Sequence, residues 1–127
     1  MSMYEVSVRV TFRAAHALPL ACGGMEESHE HSWETTATFR SARLDNEMGV
    51  VIDFVAVRDA MGVIAAQLEG KDLNTLPAFS VSTTSAENVA AYIASALERG
   101  LYAAGALYRL SVTEAPGCTA AYYPGDP

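Results

Sequence analysis

Near the start of the chain, apolar side chains occupy every second position: Tyr4, Val6, Val8, Val10 and Phe12, with Glu5, Ser7, Arg9 and Thr11 between them. A two-residue period puts the apolar set on one face of an extended chain, so this stretch predicts a half-buried strand. A second alternation sets Trp33, Thr35, Ala37 and Phe39 against Ser32, Glu34, Thr36, Thr38 and Arg40, and predicts a neighbouring strand. Between them, His16 to Ser28 contains Pro19, Gly23 and Gly24. That segment is too long for a tight hairpin, which makes it a candidate functional loop.

The period then changes. Asp53 is a natural N-cap, and Phe54 to Leu68 shows helical spacing in Val55, Val57, Met61, Ile64, Ala65 and Leu68, with Gly70 as the stop. Ser82 to Ser85 offers caps for a second helix, whose stripe of Val89, Ala90, Tyr92, Ile93, Ala96 and Leu97 ends at Gly100. Leu107 to Val112 reads as a strand, and Ala120 to Tyr123 as a short final one. The order is ββααββ, which predicts one α+β domain over residues 1–127: an antiparallel four-stranded sheet with two helices on one face. Such an open sheet has edges that invite pairing with another copy, so a homo-oligomer is expected.

Composition narrows the function. Half of the 127 residues are hydrophobic, enough for a buried core. The net charge of -7 argues against a surface that holds nucleic-acid phosphates, although placed cations or a metal can still reverse the field locally for an anionic small substrate. No apolar run approaches the roughly 18 to 20 residues of a membrane span, and the alternating start does not read as a signal peptide, so a cytoplasmic protein without membrane contact is expected. Cys22 and Cys118 stand far apart and are expected to be free thiols.

The chemistry concentrates in the histidines. Only three exist, and all flank the same loop: His16 before it, His29 and His31 after it. If a strand begins near Ser28, His29 and His31 share a face, and His16 on the adjacent strand can supply a third imidazole. Three histidines with an open fourth position suit a catalytic divalent metal such as zinc. Surface imidazoles are the alternative reading.

The segments FRAAH (12–16), HEH (29–31), GVVIDF (49–54), SAEN (85–88) and LSVTEAP (110–116) occur in an order that resembles the 6-pyruvoyl-tetrahydropterin synthase and 6-carboxy-tetrahydropterin synthase family. The resemblance implies the tunnelling fold (T-fold), commonly assembled as a hexamer of two trimers. It also implies Zn2+ on His16, His29 and His31, a pterin substrate, and Glu114 as the anchor of the amino-pyrimidine edge, whose paired N–H donors a carboxylate accepts. Ser85 and Glu87 fall where the family has a turn near the substrate, though Ser85 is equally a helix cap.

The chain also departs from the family pattern. The family's catalytic cysteine lies four to six residues before a His-Gly-His pair, whereas Cys22 lies seven before His29 and Glu30 replaces the glycine. A variant group that makes 6-hydroxymethyl-dihydropterin has a glutamate three residues before the first histidine, the place of Glu26. Both Glu26 and Cys22 are candidate bases, the first favoured. The family's Asp-His pair, part of a Leu-Asp-His-Lys-x-Leu-Asn segment, corresponds to Glu69 and Gly70 in LEGKDLN (68–74), so no imidazole stands there. Two functions follow as expectations. One is a zinc-dependent lyase acting on a dihydroneopterin or dihydroneopterin triphosphate side chain, with Glu69 as partial compensation. The other is a paralogue that keeps zinc and pterin affinity as a sensor or carrier.

Overall fold

The computed structural model describes residues 2–101 and 107–125. Two long strands, β1 (Tyr4–His16) and β2 (His29–Ser41), pair antiparallel without a break from Tyr4↔Ser41 to His16↔His29. The helix α1 (Phe54–Leu68) follows, then a two-residue strand β3 (Lys71–Asp72), two 3-10 turns, the helix α2 (Ala86–Gly100), and the strands β4 (Leu107–Ala115) and β5 (Cys118–Tyr122). The sheet order is β3-β1-β2-β4-β5, with β3 parallel to β1 and every other pair antiparallel. The expected α+β arrangement is therefore present, with one short strand added at an edge. Two residues are too few to show a period, which is why β3 left no sequence signal.

Strands β1 and β2 also run further than their strongest alternation. The pattern continues as Phe12, Ala14, His16 on one strand and His29, His31, Trp33 on the other, and alanine and histidine mark it only weakly. Val8, Phe12, Ala14, Trp33, Ala37 and Phe39 form the sheet side of the core, meeting α1 through Val57, Met61, Ile64 and Leu68 and α2 through Val89, Ala90, Ile93, Ala94 and Leu97. Val55 lies outside this stripe and is 61% exposed. At about 100° per residue it points roughly 200° away from Val57, so it cannot share the buried face. Tyr92 and Ala96 pack at the margin of the core.

Caps fix the helix starts: Asp53 accepts from the Val55 N–H at 2.9 Å, and Ser85 accepts from the Asn88 N–H at 3.2 Å. After α1, Gly70 takes a positive φ of 73°, and its N–H donates to the Arg13 carbonyl at 2.7 Å, which turns the chain onto the β1 edge. No helix among the described residues is long and apolar enough to cross a membrane.

Leu97 is fully buried and Val63 is 59% exposed, so their truncations should differ sharply. Leu97→Ala is expected to cost about 2–5 kcal/mol and Val63→Ala less than about 0.5 kcal/mol, read from urea unfolding of the two variants.

Candidate metal centre

The β1–β2 register places His16 directly across from His29 and Ala14 across from His31. Directly paired residues share a face, so all three imidazoles project to the helix side at one end of the sheet. Ala14 is small enough to leave room above it, and the Trp33 ring forms the floor, 4.9 Å from His16 and 5.9 Å from His31 between ring centroids. Trp33 is fully buried, stacks on Phe12, and donates its indole N–H to the Ala14 carbonyl at 3.1 Å. The imidazoles thus stand on a rigid apolar base.

Each of two histidines has one nitrogen committed. His16 Nδ1 donates to the Thr84 carbonyl at 2.7 Å, and His29 Nδ1 donates to the Glu27 carbonyl at 3.0 Å. A carbonyl can only accept, so these bonds place the proton on Nδ1 and leave the neutral ring's lone pair on Nε2. The Nε2 atoms of His16 and His31 are buried without a hydrogen-bond partner. An orphaned buried polar atom costs about 1–3 kcal/mol, so two that face one point ask for a Lewis acid between them. Burial is the largest influence on His31 and lowers its pKa, against the opposing pull of Glu114; the neutral, ligating form is thereby favoured.

One donor atom each from His16, His29, His31 and Glu114 lie within 4.8 Å of one another. Glu114 Oε1 is 3.3 Å from His31 Nε2 and 3.6 Å from His16 Nε2. The donor set fits a divalent metal such as zinc, which binds neutral imidazole and carboxylate together.

The loop between β1 and β2 is a small hairpin. Pro19 bridges to Met25, the Leu20 N–H donates to Gly24 O, and Gly23 and Gly24 take positive φ at the tip. This geometry separates the two candidate bases. Cys22 sits at the exposed tip, its thiol meeting only the neighbouring Gly23 carbonyl at 3.9 Å. Glu26 returns to the base, where Leu18 N–H donates to its Oε1 at 2.9 Å and that same oxygen stands 3.8 Å from His29 Nε2.

Glu69 accepts the Arg13 backbone N–H at 3.2 Å at the sheet edge. Ser85 spends its hydroxyl on capping α2, and Glu87 is exposed in the first turn of that helix. Sequence reasoning did not single out Asn74 or Thr84. Asn74 clamps the end of β1, accepting from Ala17 N–H at 3.0 Å and donating to Ala17 O at 2.9 Å, and it also accepts the Thr84 hydroxyl at 3.0 Å. Thr84 in turn holds His16. Their signal was present, since Asn74 closes the LEGKDLN segment and Thr84 lies in the capping run, but spacing says nothing of so long-range a contact.

The family model for 6-pyruvoyl tetrahydropterin synthase matches residues 5–125. The chain belongs to this family. Among solved structures, 6-pyruvoyl tetrahydropterin synthase of Caenorhabditis elegans is 20% identical, with 98% of each chain covered and a TM-score of 0.87. The Plasmodium vivax 6-pyruvoyltetrahydropterin synthase, in a variant whose catalytic glutamate is replaced by alanine, is 16% identical, with 99% of this chain and 100% of that one covered and a TM-score of 0.80. The Plasmodium falciparum synthase is 20% identical, with 98% and 100% covered and a TM-score of 0.74. These likenesses show that the fold is that of the 6-pyruvoyl tetrahydropterin synthases. No match to a curated protein was found. Family membership makes the chain a tetrahydropterin synthase-type lyase with a His/Glu cluster able to hold a metal.

Removing one imidazole should empty the centre. His29→Ala is expected to lose stoichiometric zinc in elemental analysis of the purified protein while keeping its far-UV circular dichroism; unchanged metal content would refute the assignment.

Proposed function

We propose that the chain is a zinc-dependent lyase that cleaves the side chain of a dihydroneopterin-type pterin, with His16, His29 and His31 holding the metal and Glu26 acting as base. The observation that carries this reading is the Glu26 carboxylate beside His29, at the rim of a cluster whose buried Nε2 atoms lack partners. Bound zinc would supply Lewis acidity, polarising a carbonyl or acidifying a hydroxyl of the side chain.

Glu26 is positioned by the Leu18 N–H and is close enough to take a proton from a group held at the cluster. Removal of the C2′ hydroxyl proton then allows the C1′–C2′ bond to break, its electron pair passing into the ring C6=N5 bond, and return of the proton to C1′ yields 6-hydroxymethyl-dihydropterin and a two-carbon aldehyde. A glutamate is also the catalytic residue named for the Plasmodium vivax protein. Glu114 borders the substrate pocket and is the carboxylate available to the pterin's N–H pair; Ser85 and Glu87 carry no step. We assign Glu69 no proton transfer either, because it stands at the sheet edge beside the Arg13 backbone, whereas Glu26 stands 3.8 Å from His29.

A pocket of about 430 Å³ opens beside the centre, lined by Glu30, His31, Ser32, Glu34, Thr113, Glu114, Ala115 and Pro116. On its acidic rim, Glu34 and Glu30 already pair with Arg9 and Arg13. An acidic pocket of this kind suits an uncharged polyol side chain better than a triphosphate. A cytoplasmic homo-oligomer, a hexamer of two trimers, completes the reading. It is supported by β1, whose outer edge meets β3 only at Ala14 and Ala15 and is free of a strand elsewhere among the described residues.

The second reading, a zinc- and pterin-binding sensor or carrier, is favoured by the Glu69–Gly70 step: Gly70 forms the turn onto the β1 edge where the resemblance calls for a proton-transferring imidazole.

Zinc-loaded protein incubated with dihydroneopterin should give 6-hydroxymethyl-dihydropterin by mass spectrometry, and intact substrate with tight binding would select the second reading. Glu26→Gln is expected to lower kcat about 10²–10⁴-fold while Cys22→Ser leaves it within a factor of two or so; retention of full turnover by Glu26→Gln removes the base assignment. Under competition, dihydroneopterin should be taken ahead of its triphosphate, and the reverse order would overturn the charge argument.

A further inference from the structure

We propose that Asn74 is a positioning residue of the centre: by joining Ala17 to Thr84, its side-chain amide sets the hydrogen bond that orients His16. The proposal rests on the metal-site reading above and adds to it a residue outside the donor set.

Two ties flank His16 on its own strand. Strand β3 pairs with β1 at Ala14↔Lys71 and Ala15↔Asp72, and the ladder ends there. Beyond it the Asn74 side chain takes the place of a strand: Oδ1 accepts the Ala17 N–H at 3.0 Å, and Nδ2 donates to the Ala17 carbonyl at 2.9 Å. His16 therefore sits between two residues of the chain, Ala15 and Ala17, that are both held from the 71–74 segment. The orientation of the amide is fixed, because a flipped Asn74 would set its NH2 against the Ala17 N–H and its oxygen against the Ala17 carbonyl.

The same Oδ1 also accepts the Thr84 hydroxyl at 3.0 Å, and this bond carries the tie to the imidazole. Thr84 ends an irregular stretch that runs from Ser80 to the cap of α2, so neither a ladder nor a helix aims its carbonyl. Its side chain does so instead. The hydroxyl is held between Asn74 Oδ1 and, at 3.4 Å, the Ala17 carbonyl, while the Thr84 carbonyl accepts from His16 Nδ1 at 2.7 Å. Thr84 is 1% exposed and His16 0%, so this chain of bonds runs without competition from bulk water. Released from Asn74, the Thr84 carbonyl leaves Nδ1, and the ring regains a rotation that metal binding must then remove.

The test reads His16 directly in the apo full-length protein and then reads metal affinity. With isotope-labelled histidine, the hydrogen-bonded Nδ1–H of His16 is expected to give a downfield, exchange-protected proton resonance in wild type. Asn74→Ala and the near-isosteric Thr84→Val should each move this resonance upfield or lose it to exchange, whereas Thr84→Ser, which keeps the hydroxyl, should retain it. Zinc affinity measured against a chromophoric chelator should fall about ten- to a hundredfold in the first two variants and hold in the third. Leu97→Ala weakens the core outside this chain of bonds, so it controls for a merely structural effect and should leave the resonance and the affinity in place. The proposal would be overturned if Asn74→Ala and Thr84→Val kept both wild-type readouts, if the resonance moved with zinc affinity unchanged, or if Leu97→Ala shifted both as far. If wild type bound no zinc while the resonance still responded to Asn74, the metal reading would fail and the orientation of His16 by Asn74 would stand.

Discussion

His16 and His29 face one another because thirteen consecutive residue pairs hold β1 and β2 in one register. A slip by one residue would turn every side chain of one strand to the other face, sending Trp33 and Phe39 to solvent and the arginines and glutamates of the outer face into the core. The hydrophobic alternation therefore does more than stabilise the sheet. By penalising every neighbouring register, it fixes where the last pair falls, and that pair belongs to the His/Glu cluster able to hold a metal. The long loop between the strands adds little to this choice; the packed face decides it.

Around that register the imidazoles are oriented by groups that are not themselves ligands. Thr84 and Glu27 offer carbonyls to Nδ1 atoms, and Asn74 ties Thr84 to the end of β1 through Ala17. Each tie removes a rotational freedom that metal binding would otherwise have to remove. The segment from Gly70 to Asn74 is what delivers Asn74: the glycine turn, the two residues of β3 and the 3-10 turn capped by Asp72 lay this stretch along the edge of β1. In this chain the segment holds the site in place through Asn74, and the Glu69 carboxylate and the Gly70 N–H both bond to the Arg13 backbone.

The sheet, both helices and the three-histidine convergence were legible in the sequence because periodicity reports which face a residue occupies, and facing is what brings His16, His29 and His31 together. What remained hidden depends on contacts that periodicity does not encode. Strand β3 is too short to have a period. Val55 sits in an apolar run but on the wrong side of the helix. Asn74 acts across the fold through two hydrogen bonds to Ala17, and Thr84 through the bond its carbonyl accepts from His16. The bulge at Glu114, where Thr113 pairs with Thr119 but Ala115 with Cys118, arises from a mismatch between two strands, visible in neither alone. The direction of the 17–28 loop was open until its backbone hydrogen bonds were seen to close it as a hairpin.

That hairpin explains how the residue spacing departs from the family pattern while a candidate base still stands beside His29. In a paired hairpin, residues near the stem return to the place from which the chain left, and residues at the tip are carried away from it. Lengthening the loop therefore exchanges one candidate for another: Cys22 rises to the tip beyond the Leu20–Gly24 hydrogen bond, and Glu26 is set opposite Leu18 at the stem. A thiol needs a nearby cation to become a thiolate, and the exposed tip provides none at hydrogen-bonding distance among the described residues. A carboxylate is ionised without such help, so the stem position asks less of its surroundings. The altered spacing and the arrival of Glu26 in place of Cys22 beside His29 are thus one structural event, with the fold and the His/Glu cluster kept.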